Sequence, residues 1–228
     1  MNESGQRPRR VVLAITGASG APYAVRLLQI LARSEVELHL TISPSGAAVI
    51  QQELGLAVNV SSPDLPALLR YRPTWSCGPA GTTAEPPAPE NLVQQQQPGN
   101  LLFHRYDDFM TPIASGSFQT DAMVVCPCSG STLSGIARAA AANLIQRAAE
   151  VHLKEHRKLV LVPRETPMSV LQLENLHRVA QAGAVVLPAM PGWYHGVDSL
   201  DSIVDFIVSR ILDQLGIENS LIGRWGES

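Results

Sequence analysis

The chain has 228 residues, 45% hydrophobic and 16% charged, with a net charge of −3. This excludes a disordered chain and any general field for nucleic acid or anionic lipid, and it suits one α/β domain with a substantial core. Aromatics reach only 5%, so small aliphatic residues and alanine must fill most of that core.

The start, MNESGQRPRR, is polar, lacks the apolar stretch of a signal peptide and reads as a loose tail. Arg10 to Thr16 (RVVLAIT) is continuously apolar, as in a strand buried on both faces. GASGAP follows, and Ala24, Leu27, Leu28 and Leu31 then recur at helical spacing. Val36 to Ser43 predicts a second strand. Ser43-Pro44-Ser45 predicts a helix start, with the helix running to about Leu54.

Between about Ser61 and His104 the periodicity fails. Prolines recur and glutamines run from Gln94 to Gln97, which reads as a loop excursion: a surface segment, a lid or an oligomer contact. Regular pattern then returns. Ala122 to Cys126 predicts a strand, Leu133 to Ala142 and Asn143 to His156 helices, and Leu159 to Val162 a strand. Ser169 to Ala182 predicts a helix, Ala184 to Leu187 a strand, and Asp198 to Leu215 a terminal helix. Strands and helices alternating at this spacing predict a Rossmann-like (flavodoxin-like) three-layer α/β fold, a parallel sheet flanked by helices, as a single domain over residues 1–228.

No apolar run reaches the ~18 residues of a membrane helix. Cys77, Cys126 and Cys128 form neither a disulfide framework nor a zinc-ligand spacing, which suits a reducing, cytoplasmic compartment and no metal.

Several turns at strand ends can carry chemistry. Gly17-Ala18-Ser19-Gly20 joins the first strand to the first helix, where backbone amides can hold an anion; it is also a common strand–helix turn. Its spacing is not GxGxxG, and no acidic residue ends the second strand to grip an adenosine ribose, so a mononucleotide such as FMN fits better than NAD. Ser43 ends the second strand at the same edge, as ligand or cap. Ser129, Gly130, Ser131 and Thr132 offer a second anion cradle or another cap.

Arg147, Glu150 and Lys154 share one helical stripe, either a solvated face or a cationic site. Arg164-Glu165 at a buried strand's end can grip phosphate and move a proton, or form a loop ion pair. Tyr194 offers a hydroxyl, His195 beside it is a candidate base or a solvated loop residue, and Arg210 can reach a buried anion or snorkel.

Taken together, VVLAITGASGAPYAVRLLQIL, SGSFQTDAMVVCPCS, NLIQRAAEVHLKEHRKLVLVPRETP and PGWYH followed by SLDSIVDFIVSRILDQLGI resemble the flavin prenyltransferases (UbiX/Pad-type) over nearly all the chain except the excursion. The resemblance implies a homo-oligomer, typically a dodecamer. It implies transfer of the dimethylallyl group of dimethylallyl monophosphate to reduced FMN without metal, giving prenylated FMN for a UbiD-type decarboxylase. By position it makes Gly17, Ala18, Ser19, Ser43, Ser129, Gly130, Ser131, Thr132 and Arg164 FMN contacts. Arg147, Lys154, Tyr194, Arg210 and Trp225 fall at the prenyl phosphate, and Glu165, Glu53 and Ser19 in catalysis. Ser115 to Ser117 match a variable loop near the flavin.

Ser131 and Pro44 stand where the family usually carries lysine, which implies a weaker cationic grip on the ligand phosphates. Two rival classes share the flavin: a non-catalytic FMN carrier, and a flavin-dependent cysteine decarboxylase. The second uses a His near its first flavin turn and a PASANT-type motif, whereas this chain has PCSGSTLSG and no His after GASGAP.

Overall fold

A computed structural model describes residues 7–73, 100–194 and 196–226. Cys77, His195, most of the Pro/Gln-rich excursion and the start of the N-terminal tail lie outside the described residues.

Six parallel strands form one sheet in the order β3-β2-β1-β4-β5-β6. They are β1 (Arg9–Ile15), β2 (Val36–Ile42), β3 (Leu101–Phe103), β4 (Ala122–Cys128), β5 (Lys158–Pro163) and β6 (Val185–Val186). Alternate residues of β1 feed opposite cores. Val11, Leu13 and Ile15 join the helices α1 (Ala21–Leu31), α2 (Pro44–Leu54), α3 (Leu65–Arg70) and α7 (Leu200–Leu215). Val12 and Ala14 face α4 (Gly130–Ala137), α5 (Leu144–Lys154) and α6 (Val170–Gln181). The expected three-layer parallel architecture is therefore present. Ala24, Leu27, Leu28 and Leu31 are all fully buried on one face of α1.

Three expectations need correction. The excursion is not wholly irregular: Asp64 caps α3 by accepting from the Ala67 amide at 2.9 Å, and Leu68 plugs the core. Gln29 of α1 donates to Leu68 O and Tyr71 O, which fixes that short helix in place. At the excursion's far end Leu101–Phe103 extends the sheet beside β2. A six-residue helix and a three-residue strand are too short to show a period.

The helix expected over 133–142 starts earlier and stops sooner. Ser129 caps its start, Arg138 leaves helical geometry at φ −112°, and Ala139 has φ +50°. The alanines beyond have high helix propensity, but Asn143 caps α5 immediately after them, so the connection overrides local preference. The last strand keeps only Val185–Val186 of the expected four residues.

Candidate functional site

Strand order reverses between β1 and β4, so the crevice at their carboxyl ends is the switch point where open α/β sheets bind ligands. The two glycine- and serine-rich turns leave the sheet there. Gly17–Gly20 follows β1 and Ser129–Thr132 follows β4, while Ser43 ends β2 and Arg164 follows β5. The β4–β5 register also slips between Val125 and Cys128, an irregularity of the kind that sits beside active sites.

Close backbone approach explains the glycines. A Cβ on Gly17 would lie 2.4 Å from Ser45 Cβ, and one on Gly46 2.6 Å from Ile15 O. The start of α2 thus presses directly on the end of β1. Gly17→Ala is expected to cost about 1–3 kcal/mol, because neither backbone can give way easily. A urea titration checks this cost.

The helix end at the first turn already holds a carboxylate. The amides at the start of α1 are already used, because Glu53 of α2 accepts from Gly20 N at 3.0 Å and from Ala21 N at 2.8 Å. The anion at this positive helix end is the chain's own carboxylate. Glu53, which the resemblance places in catalysis, is here the anchor of that turn.

At the second turn Ser129 Oγ accepts from the Thr132 amide and lies 3.0 Å from Thr132 Oγ1 and 3.2 Å from Ser131 Oγ. Three hydroxyls gather at the start of α4, where the first amides have no partner within the helix. Ser43 Oγ accepts from Gly46 N at 3.0 Å and so caps α2.

Arg164 and Glu165 turn to different partners. Arg164 Nε donates to Ser19 O at 3.1 Å, tying β5's end to the first turn. Glu165 accepts from Gln172 Nε2 at 3.2 Å. Gln172 itself caps α6, its Oε1 accepting from Ser169 N at 2.8 Å, so its amide is oriented before it meets Glu165. Sequence reasoning missed Gln172, although Ser-x-x-Gln at a helix start was a legible capping box.

The other expected residues fall into two further groups. Tyr194 packs edge-on against Phe206 at 5.9 Å and Trp225 at 5.5 Å. Arg210, one turn after Phe206 on α7, pairs with Asp213 at 2.9 Å, and Arg224 reaches the same carboxylate. On α5, Arg147 donates to Ala114 O and pairs loosely with Glu150 at 3.8 Å, while Lys154 pairs with Glu155 at 2.6 Å. These last two side chains press on the Ser115–Ser117 turn, where a Cβ on Gly116 would strike both. Lys154 lies at the entry end of β5 and Arg164 past its exit; six strand residues separate those ends by about 17 Å.

Burial raises the thiol pKa of Cys126 and pushes that of Cys128 up to about 12. Both are free and hold no charge, so they pack as small apolar groups. Among the described residues no cluster of His, Cys, Asp or Glu has metal-binding geometry, and no helix is long and apolar enough to cross a membrane.

Serine- and glycine-rich turns at the switch point of a parallel sheet define a mononucleotide-binding α/β protein, and residues 1–212 match the Flavoprotein family, to which the chain belongs. It is 44% identical over 96% of its length to the flavin prenyltransferase UbiX of Pseudomonas aeruginosa, covering 95% of that protein. To the flavin prenyltransferase UbiX of Halalkalibacterium halodurans it is 41% identical, covering 94% of this chain and 92% of that one. Within the Flavoprotein family, then, the chain is a member of the flavin prenyltransferases, the UbiX group.

Solved structures agree. AnUbiX (PadA1), in complex with FMN and dimethylallyl pyrophosphate, superposes with a TM-score of 0.76 at 34% identity, covering 96% of this chain and 98% of that one. A dodecameric FMN-dependent UbiX-like decarboxylase from Escherichia coli O157:H7 gives 0.72 at 35%, covering 95% and 98%. The FMN-dependent cysteine decarboxylase TvaF, at 16% identity over 78% of this chain and 88% of its own, with a TM-score of 0.51, shares the fold alone.

Proposed function

We propose that this protein is a flavin prenyltransferase that moves the dimethylallyl group of dimethylallyl monophosphate onto reduced FMN. The observation that carries the reading is the pair of turns facing each other across the β1–β4 switch point, with Arg164 bridging from β5 to Ser19. These residues fit FMN. The cradle is lined by backbone and hydroxyls, and Arg164 supplies a cation for phosphate. Because Glu53 occupies the first helix end, the flavin phosphate goes to the Ser129–Thr132 turn. Gly17, Ala18, Ser19 and Ser43 then border the ring system.

Reduced FMN supplies the nucleophilic N5 and C6 to which the prenyl carbons bond. The protein's work is on the other side of the reaction. Phosphate departs with the electrons of the allylic C–O bond, so its growing charge needs cationic and hydroxyl donors. Tyr194, Arg210, Arg147 and Lys154 fill that role, Glu165 moves the accompanying proton, and Trp225 covers the site.

One protomer does not unite these groups, since Lys154 and Arg164 lie at opposite ends of β5. In our reading neighbouring copies bring α5 of one protomer to the flavin turns of another, in a closed homo-oligomer such as a dodecamer. Buried free thiols suit a reducing cytoplasm. A UbiD-type decarboxylase takes the product.

Mass spectrometry of the released flavin tests the function. The protein is incubated anaerobically with reduced FMN and dimethylallyl monophosphate, then denatured. A flavin heavier by one five-carbon prenyl unit is expected. Unmodified FMN recovered with the protein would leave a carrier in place of an enzyme.

A further inference from the structure

We propose that Thr16, a buried residue outside the set of flavin contacts, is a positioning residue that holds the phosphate turn in shape and thereby sets the affinity for the phosphate of FMN. The inference rests on the reading above that this phosphate lies on the Ser129–Thr132 turn.

Thr16 is the residue just after β1 and is 1% exposed. Its hydroxyl donates to Pro127 O at 2.6 Å and accepts from Ser129 N at 2.8 Å. Its own amide donates to Pro127 O as well, at 3.3 Å. The β1–β4 ladder proper ends at Ala14↔Val125. Beyond it the two chains enter different turns, and Thr16 rejoins them at the switch point itself.

The consequence falls on α4. With Ser129 N turned inward to Thr16, the Ser129 side chain is left to cap Thr132, and the unpartnered amides at the helix start are those of Gly130 and Ser131. A hydroxyl is both donor and acceptor, so one atom satisfies a carbonyl and an amide together. A methyl in its place leaves the Ser129 amide a buried donor without a partner. The turn relieves this by rolling outward until the amide reaches water, which carries the Gly130 and Ser131 amides off the phosphate.

The test compares Thr16→Val, equal in shape, with Thr16→Ser, which keeps the hydroxyl, using fluorescence titrations of oxidised FMN and of riboflavin. Riboflavin lacks the phosphate, so the ratio of the two affinities isolates the turn from the ring site. Thr16→Val is expected to lower that ratio at least about tenfold while riboflavin binding stays within about threefold of wild type. Thr16→Ser is expected to keep the wild-type ratio. An unchanged ratio in Thr16→Val, or an equal loss in Thr16→Ser, overturns the proposal. If Thr16→Val is insoluble, Thr16→Ala against Thr16→Ser gives the same contrast, since that pair differs in the hydroxyl alone. Wild-type protein that binds FMN no better than riboflavin removes the phosphate assignment on which the proposal stands.

Discussion

Glu165→Gln is expected to bind FMN as wild type does and to lose prenyl transfer by about 10²–10⁴-fold, the usual worth of a positioned proton-transfer group. The substitution keeps the side chain's shape and leaves an acceptor for Gln172 Nε2, which lies 3.2 Å from the carboxylate. The cap of α6 is untouched, because it uses Gln172 Oε1 and Ser169. What disappears is a group able to give up and regain a proton as the phosphate leaves. Single-turnover prenylation, read as the mass of released flavin over time, separates binding from chemistry. Turnover equal to wild type would remove Glu165 from the reaction.

A second large effect concerns acid. His104 and His152 are buried, and burial pushes both pKa values down to about 4 from the ordinary 6.5. His104 is also disfavoured as a cation by His39, whose Nδ1 lies 2.8 Å from its Nε2 in a stacked pair, with Glu37 on the far side of His39 and Asp108 nearby. His152 donates through Nδ1 to Ala148 O at 2.7 Å and meets Thr120 Oγ1 at 3.0 Å, with the Arg157 cation adding to the bias against charge.

The unfolded chain therefore takes up these protons first as the pH falls. The contribution is whole above pH 6.5, is lost progressively between 6.5 and 4, and levels off below about 4. At full effect the deeply buried His152 accounts for a stability change on the order of 3 kcal/mol, and the better-screened His104 for less. Urea midpoints at pH 7, 6, 5 and 4 should fall across that window, and replacing His152 with Gln should make the slope shallower. A midpoint constant from pH 7 to 4 would show that neither ring is held neutral by the fold.

The strands were legible because a parallel sheet covered on both faces writes itself as uninterrupted apolar runs, as in Ala122–Cys126. The turns after them were legible as glycine- and serine-rich joints at the ends of two strands, Gly17–Gly20 and Ser129–Thr132, a composition that fits a plain turn or cap as well as a ligand cradle. Function was legible mainly through the resemblance, not through spacing. What stayed hidden depends on contacts between distant positions. Glu53 meets Gly20 and Ala21 more than thirty residues away, and no local pattern tells a helix-surface glutamate from one that clamps another helix's amides. Thr16 looked like the last residue of a strand, and its bond to Ser129 spans 113 positions. α3 and β3 were lost in a proline-rich stretch because each is shorter than the period needed to recognise it.

The outermost strands, β3 and β6, are three and two residues long. An open sheet normally presents a row of free amides and carbonyls along each border, a template on which a foreign strand can zip. Among the described residues each border strand is only this short, so little regular template remains there to seed a growing ribbon. Copies of this protein are thereby steered away from runaway fibre-like stacking.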